Sequence, residues 1–203
     1  MKVFILLVFS LTHSFTFAQI DTERYIKEAQ AYQEALNQEY ADSFSSPLET
    51  EALEHFEALP FFPITSDFIV EARFEKFKKK QIEIFQTSTS RMPTYVVFGK
   101  LYFKIQGKAF ELTVYQNPAF KKNKELKDYL FLPFTDLSNG ETTYGGGRYL
   151  DFYIPKTASV ILNFHQAYNP YCAYTDKYSC PVPPKNNFLD MEVNAGVMLL
   201  GQH

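Results

Sequence analysis

Two different periods of apolar residues run along this chain. Between residues 21 and 42, Tyr25, Ala29, Tyr32, Leu36 and Tyr40 recur at three- and four-residue steps with polar residues between them. That spacing sets them on one stripe of an α-helix, the stripe that must be buried. Asp21 or Thr22 stands where a side-chain oxygen can accept one of the helix's unpaired first amides. A second helix is predicted from Ser46 to about Leu59, since Ser46, Pro47 and Glu49 make a capping box with proline at the first helical position. It would bury Leu48, Ala52, Leu53, Phe56 and Leu59 and stop at Pro60.

After Pro60 the period shortens to two. Phe68, Val70, Ala72 and Phe74 alternate with Glu71, Arg73 and Glu75, as in a half-buried strand. A separate strand is predicted over residues 81–86, beyond a turn at the lysines 78–80. In "TYVVFGKLYFKI", Tyr95, Val97, Leu101, Phe103 and Ile105 form one row, and Gly99 interrupts it where a bulge or bend would sit. Gln106-Gly107 offers a tight turn into a strand carrying Phe110, Leu112 and Val114. Further strands are predicted over residues 129–134, 148–154, 159–164 and 188–193.

Eight or so short strands behind two helices predict an α+β, β-rich fold. Its curved antiparallel sheet would close into a barrel or sandwich, with the two N-terminal helices packed outside. The predicted organisation is a single domain over residues 19–203, with a helical arm at 19–60 and a β-rich body at 61–203. Residues 1–18 read differently. Lys2, the apolar run from Val3 to Leu11 and the small residues before Gln19 have the order of a signal peptide. Cleavage near Ala18-Gln19 would leave the mature chain periplasmic or secreted, and no later segment is apolar enough for a transmembrane span.

Composition adds a large aromatic content, 21 Phe and 14 Tyr with no Trp, enough for a core without help from disulfides. Charge is uneven. Residues 19–60 hold ten acids against Arg24 and Lys27, a net of −8, while the rest of the mature chain nets +4. The acidic total and the export signal together exclude nucleic acid as a partner.

Candidate chemistry gathers in two segments. "YGGGRYLDF" carries Gly145, Gly146 and Gly147 before Arg148, with no Lys-Ser/Thr to make a phosphate loop. Such a turn either needs positive φ or brings bare amides to an anion, which Arg148 could then grip. The bland partner for Arg148 is a structural acid such as Asp151. "NPYCAYTDKYSCPVPP" holds the only cysteines, Cys172 and Cys180, in a frame of Pro170, Pro181, Pro183 and Pro184. In an oxidising compartment an even pair of cysteines reads as a disulfide. A metal site using His165, Cys172 and Cys180, with Asp176 as a fourth ligand, and a reactive thiol with His165 as its base stay open beside it. Tyr168 and Tyr174, near Asn169, offer aromatic walls.

With these residues in hand, the chain resembles the bacterial family known only as domain of unknown function 1684. The resemblance rests on "FFPITSDFIVEARFE", the hairpin "QTSTSRMPTYVVFGKLYFKIQGKAFELTVYQ", "LFLPFTDLSNGETTYGGGRYLDF" and "LNFHQAYNPYCAYTDKYSCPVPPKNNFLDMEVNAG", in that order. The glycine–arginine turn, the Asn169-Pro170 pair and both cysteines belong to the family's pattern. His165 stands where the family usually carries asparagine, and the ending "GVMLLGQH" departs from the expected charged run. The resemblance implies no established activity, cofactor or partner. The leading expectation is a binding domain for a small polar or anionic ligand, held at Gly145, Gly146, Gly147, Arg148, Tyr168, Asn169 and Tyr174. The alternatives are a small hydrolase or metal-dependent enzyme using Asp151, His165 or the thiols, and an envelope interaction domain with the acidic helices as its docking arm. No feature indicates a cofactor or an oligomeric state.

Overall fold

The computed structural model describes residues 21–200, so the predicted leader lies outside the described residues. Helix α1, Thr22–Ala41, begins where its cap predicts: the Asp21 carboxylate accepts from the Arg24 amide at 3.2 Å. Its stripe turns inward through Ala29, Leu36 and Tyr40. Side chain to backbone bonds hang it on the body. Gln33 donates to the His165 carbonyl at 3.1 Å, and Asn163 donates to the Tyr25 carbonyl at 2.8 Å.

The second helix is a correction. Helix α2 spans only Thr50–Glu54, and Ala52 is exposed, although Leu48 and Leu59 are buried as expected. Ser46 Oγ accepts from the Leu48 amide at 3.2 Å, two residues on, which closes a local turn instead of capping a helix. Glu49, the other half of the box, is drawn away to Thr175 and Lys177. With neither half closing the box, the start slips three residues and the helix is a stub.

Strands β1 (Ile69–Ile84), β2 (Thr94–Ile105), β3 (Lys108–Gln116), β4 (Tyr129–Asp136), β5 (Arg148–Tyr153), β6 (Ser159–Asn163) and β7 (Phe188–Leu189) follow. They pair in the order β5-β4-β3-β2-β1-β6, antiparallel throughout, and curl into a half-barrel; β7 adds to β4 in parallel. The turn expected at the lysines is not there. They lie within β1, where its register against β2 shifts between Lys76 and Gln81. A bulge absorbs them, because the β2 ladder continues past them and exposed lysines need no partner face.

Gly99 is the bend that the interrupted row predicts. The β2–β3 register shifts between Val97 and Gly99, and a Cβ on Gly99 would stand 2.6 Å from the Glu75 carbonyl oxygen. The bend does more than curve the strand. Leu101, Phe103 and Ile105 join the main core with Leu112, Val114, Leu130 and Leu132, whereas Tyr95 and Val97 join Phe85, Tyr115, Phe131 and Tyr149. Val114 and Tyr115 are consecutive, as are Leu130 and Phe131, so the two clusters occupy opposite faces of the sheet. The single row read from the sequence is therefore two half-rows. Residues 106–107 form the expected hairpin turn, with φ of 49° at Gln106 and 82° at Gly107.

Strand β7 is much shorter than the predicted residues 188–193. Beyond Leu189 the backbone turns inward, and the carbonyls of Val193 and Ala195 point at Arg148.

Candidate functional site

Arg148 opens β5 facing the core, not solvent, and is fully buried. Its guanidinium donates to Asp136 Oδ2 at 2.8 Å, to the Val193 carbonyl at 2.8 Å and to the Ala195 carbonyl, and it lies over the Phe134 ring. Burial pulls its pKa down and the facing Asp136 carboxylate holds it up. The expected anion anchor is thus an internal bolt, and its acidic partner is Asp136 rather than Asp151. Asp136 is itself fixed by the amides of Ser138 at 2.9 Å and Val193 at 3.2 Å.

The glycine turn is structural for the same reason. Gly147 sits at φ +88°, and a Cβ there would lie 2.8 Å from the Phe134 carbonyl oxygen. Its amide donates back to Tyr144 at 3.1 Å, closing a turn through Gly145 and Gly146. The nest of glycine amides with an arginine beside it is not formed.

His165 is equally internal. It is buried, edge-on to Phe68, with Nε2 placed 3.1 Å from the Thr65 amide and 2.8 Å from the Thr65 carbonyl. It therefore joins neither a metal site with Cys172 and Cys180 nor a thiol–imidazole pair. Among the described residues no cluster of three or more His, Cys, Asp or Glu could hold a metal. Desolvation lowers the His165 pKa below its ordinary 6.5. A depressed folded-state value means that its contribution to stability is whole above 6.5 and is lost as pH falls below it, when the unfolded chain takes up the proton first. The melting temperature of wild type should decline as pH falls below about 6.5, and His165→Asn should flatten that decline. Parallel melting profiles for the two proteins would refute this role.

Asn169 and Tyr174 join the cysteine loop to α1. Asn169 Nδ2 donates to the Tyr174 hydroxyl at 3.2 Å and to the Met198 carbonyl at 3.1 Å. Tyr174 meets Tyr40 edge-on at 5.1 Å between ring centres. Both thus help to hold the loop against α1 and the C-terminal segment.

Cys172 and Cys180 are free thiols in this structure, not the expected bridge, but they are neighbours: the Cys172 amide donates to Cys180 Sγ at 3.3 Å. The Cys180 thiol's hydrogen bond draws the Cys172 pKa down to about 6 and pushes that of Cys180 up. The loop that carries them is tied to the segment after β1. Ser88 donates to the Cys180 carbonyl at 2.9 Å, and the Cys180 amide donates to Ser88 Oγ at 3.1 Å.

One cleft, of about 370 Å³, gathers polar groups from both parts of the chain. It lies between α1 and β5, against the second aromatic cluster, and its walls include Tyr32, Glu39, Tyr149, Asp151, Tyr168 and Tyr171. Asp151 Oδ1 accepts from the hydroxyls of Tyr129 and Tyr168, each at 2.8 Å, and Glu39 accepts from Tyr171. Burial, then Asp151 and Glu39, push the Tyr32 hydroxyl pKa well up. Of the ligand residues expected from the sequence only Tyr168 reaches this cleft; Cys180 also lines it, as does Asp151 from the enzymatic alternative. Tyr32 and Glu39 were missed as cleft residues because their signal is faint: one member of a helical stripe read as core and one acid beside that stripe, seven apart. A larger groove of about 890 Å³ crosses Arg73, Tyr102 and Lys104, but two of its charged residues are already paired, Arg73 with Glu75 at 3.0 Å and Glu111 with Lys100 at 2.6 Å.

Comparison with known proteins agrees with this geometry without adding an activity. No curated protein matches the chain. The solution NMR structure of an uncharacterised protein of Haloarcula marismortui is 29% identical, with a TM-score of 0.68 over 88% of this chain and 96% of that one. The two chains share their overall fold. Residues 54–198, well over half of the chain, match the family model described as "Protein of unknown function (DUF1684)", and the chain belongs to that family.

Proposed function

We propose that this protein is a binding module for a small polar molecule, received in the cleft between α1 and β5. The observation that carries the reading is the cleft itself. Aromatic walls with a few fixed polar groups, at a volume in the range of ligand sites, are what such a site requires. The tyrosines give rigid apolar surface, and their hydroxyl bonds lock Glu39 and Asp151 in place before any ligand arrives. Ala35 is an exposed residue of α1 on the cleft wall, so Ala35→Trp fills the space from the helix side without touching the core. Thermal-shift screening of the full chain against cationic, neutral and anionic metabolites should give hits that Ala35→Trp abolishes. Hits that survive Ala35→Trp would place binding elsewhere and end the proposal.

The same proposal puts the mature chain outside the cytoplasm, where the neighbouring thiols would oxidise. Cys172 and Cys180 would each lose a proton and together give two electrons to a disulfide oxidant, which leaves as two thiols while the new S–S bond forms. The closed loop would add roughly 2.5 kcal/mol of stability on a chain-entropy basis. Thiol titration of unfolded protein, isolated from the periplasm or medium without reductant, should find no free thiols. Two free thiols in that sample would sink both the export and the bridge.

A further inference from the structure

The cleft is unusual in what it can offer a ligand. Its titratable lining residues are Glu39, Asp151, the thiol of Cys180 and four tyrosines; among the described residues no lysine, arginine or histidine reaches it. Three of the four phenols have already committed their only proton. Tyr168 gives it to Asp151, Tyr171 to Glu39 and Tyr149 to the Pro181 carbonyl. A phenol has one hydrogen to donate, so these three can only accept from a ligand. Glu39 Oε2 and Asp151 Oδ2 receive no hydrogen bond from another described residue, and the Tyr32 hydroxyl, lying in the field of both acids, has no hydrogen-bond partner among the described residues. The site is therefore rich in acceptors and doubly acidic, and it is walled by aromatic rings whose faces attract positive charge.

We infer that the cleft selects a small organic cation, a primary ammonium on an apolar stem. An ammonium carries three donors and no acceptor, which is the complement of what the walls present. The stem lies against Leu36, Pro170 and the tyrosine rings, and the nitrogen lies between Glu39 and Asp151. An anion meets two like charges, and a neutral alcohol supplies one donor where three are wanted. This specificity rests on the proposed binding function and deepens it.

The test is calorimetric titration of the full chain with hexylammonium, 1-hexanol and hexanoate, which share a stem and differ in the head group. The ammonium should bind saturably, the alcohol at least about tenfold more weakly, and the carboxylate not at all. Glu39→Gln and Asp151→Asn keep the shape and remove one charge each, and each should weaken the ammonium by about ten- to hundredfold. Melting curves of the two unliganded variants check that the fold is kept. Added salt should weaken binding in wild type. If the alcohol or carboxylate binds as tightly as the ammonium, and Ala35→Trp abolishes it, the cleft remains a ligand site but the cation assignment is overturned. If no probe binds, or binding ignores Ala35→Trp, both the specificity and the proposed function fail.

Discussion

Arg148→Met is expected to cost about 3–5 kcal/mol of folding stability, the penalty for leaving one half of a buried ion pair behind. The carboxylate of Asp136 would stay in the core without its cation, and the carbonyls of Val193 and Ala195 would lose their donor. For a domain of this size the midpoint of thermal unfolding should fall by roughly 10 °C. The double variant Arg148→Met with Asp136→Leu should recover part of the loss, because an apolar pair of similar volume removes the stranded charge. A single variant within about 1 kcal/mol of wild type would show that the pair is not the bolt described. The same result separates the structural role from the ligand role first read for this residue. A surface anion anchor could be removed with little change in melting.

Asn187→Ala should be nearly as damaging. Strands β3 and β4 pair directly only at Tyr115 and Phe131. Beyond that point the buried Asn187 side chain stands in for the ladder. It accepts from the Thr113 amide at 2.8 Å and donates to the Thr113 carbonyl at 2.8 Å and the Pro133 carbonyl at 2.7 Å. Its own carbonyl accepts from Thr135 at 2.9 Å. Truncation would strand one donor and two acceptors where water does not reach, at about 1–3 kcal/mol for each group left unpaired. We expect about 3 kcal/mol in all, read as a lower urea midpoint, with faster exchange of the Thr113 amide as its local signature. Unchanged exchange at Thr113 would contradict the bridging role. Pro133 explains the need for the device: its missing N–H already weakens β4 as a ladder strand, so a side chain takes over part of the pairing.

Much of the fold was legible because the signals involved are local. The stripe from Tyr25 to Tyr40 is a property of 3.6-residue periodicity, and α1 follows it to within a residue. Gly99 marks a close approach that leaves no room for a Cβ, Gln106-Gly107 marks a left-handed turn, and both occur where expected. The failures have a common cause. Ser46 and Glu49 look like a capping box until Thr175 and Lys177, far along the chain, take the carboxylate. The lysines after Phe77 look like a turn until β2 extends beside them. In each case a partner distant in sequence outbid a local preference worth about 1 kcal/mol or less.

The candidate site divides along the same line. The sequence by itself determined the period of each element, the bends at glycine, the family and the concentration of special residues in the Gly145–Arg148 and Asn169–Pro184 segments. It could not say which way those side chains point. Arg148 looks like an anion anchor in one dimension and is a core bolt in three, because residue parity within β5 and the inward turn after Leu189 decide its environment. His165, Cys172 and Cys180 look like a ligand set, and packing sends the histidine to a different wall. Only the tertiary structure brought Tyr32 and Glu39 of α1 to Asp151 of β5 and Tyr168 and Tyr171 of the loop, residues up to 139 positions apart whose proximity no local period encodes. A cleft is made by the docking of elements, and docking is set by the burial of whole faces, so its lining is fixed only when the faces meet.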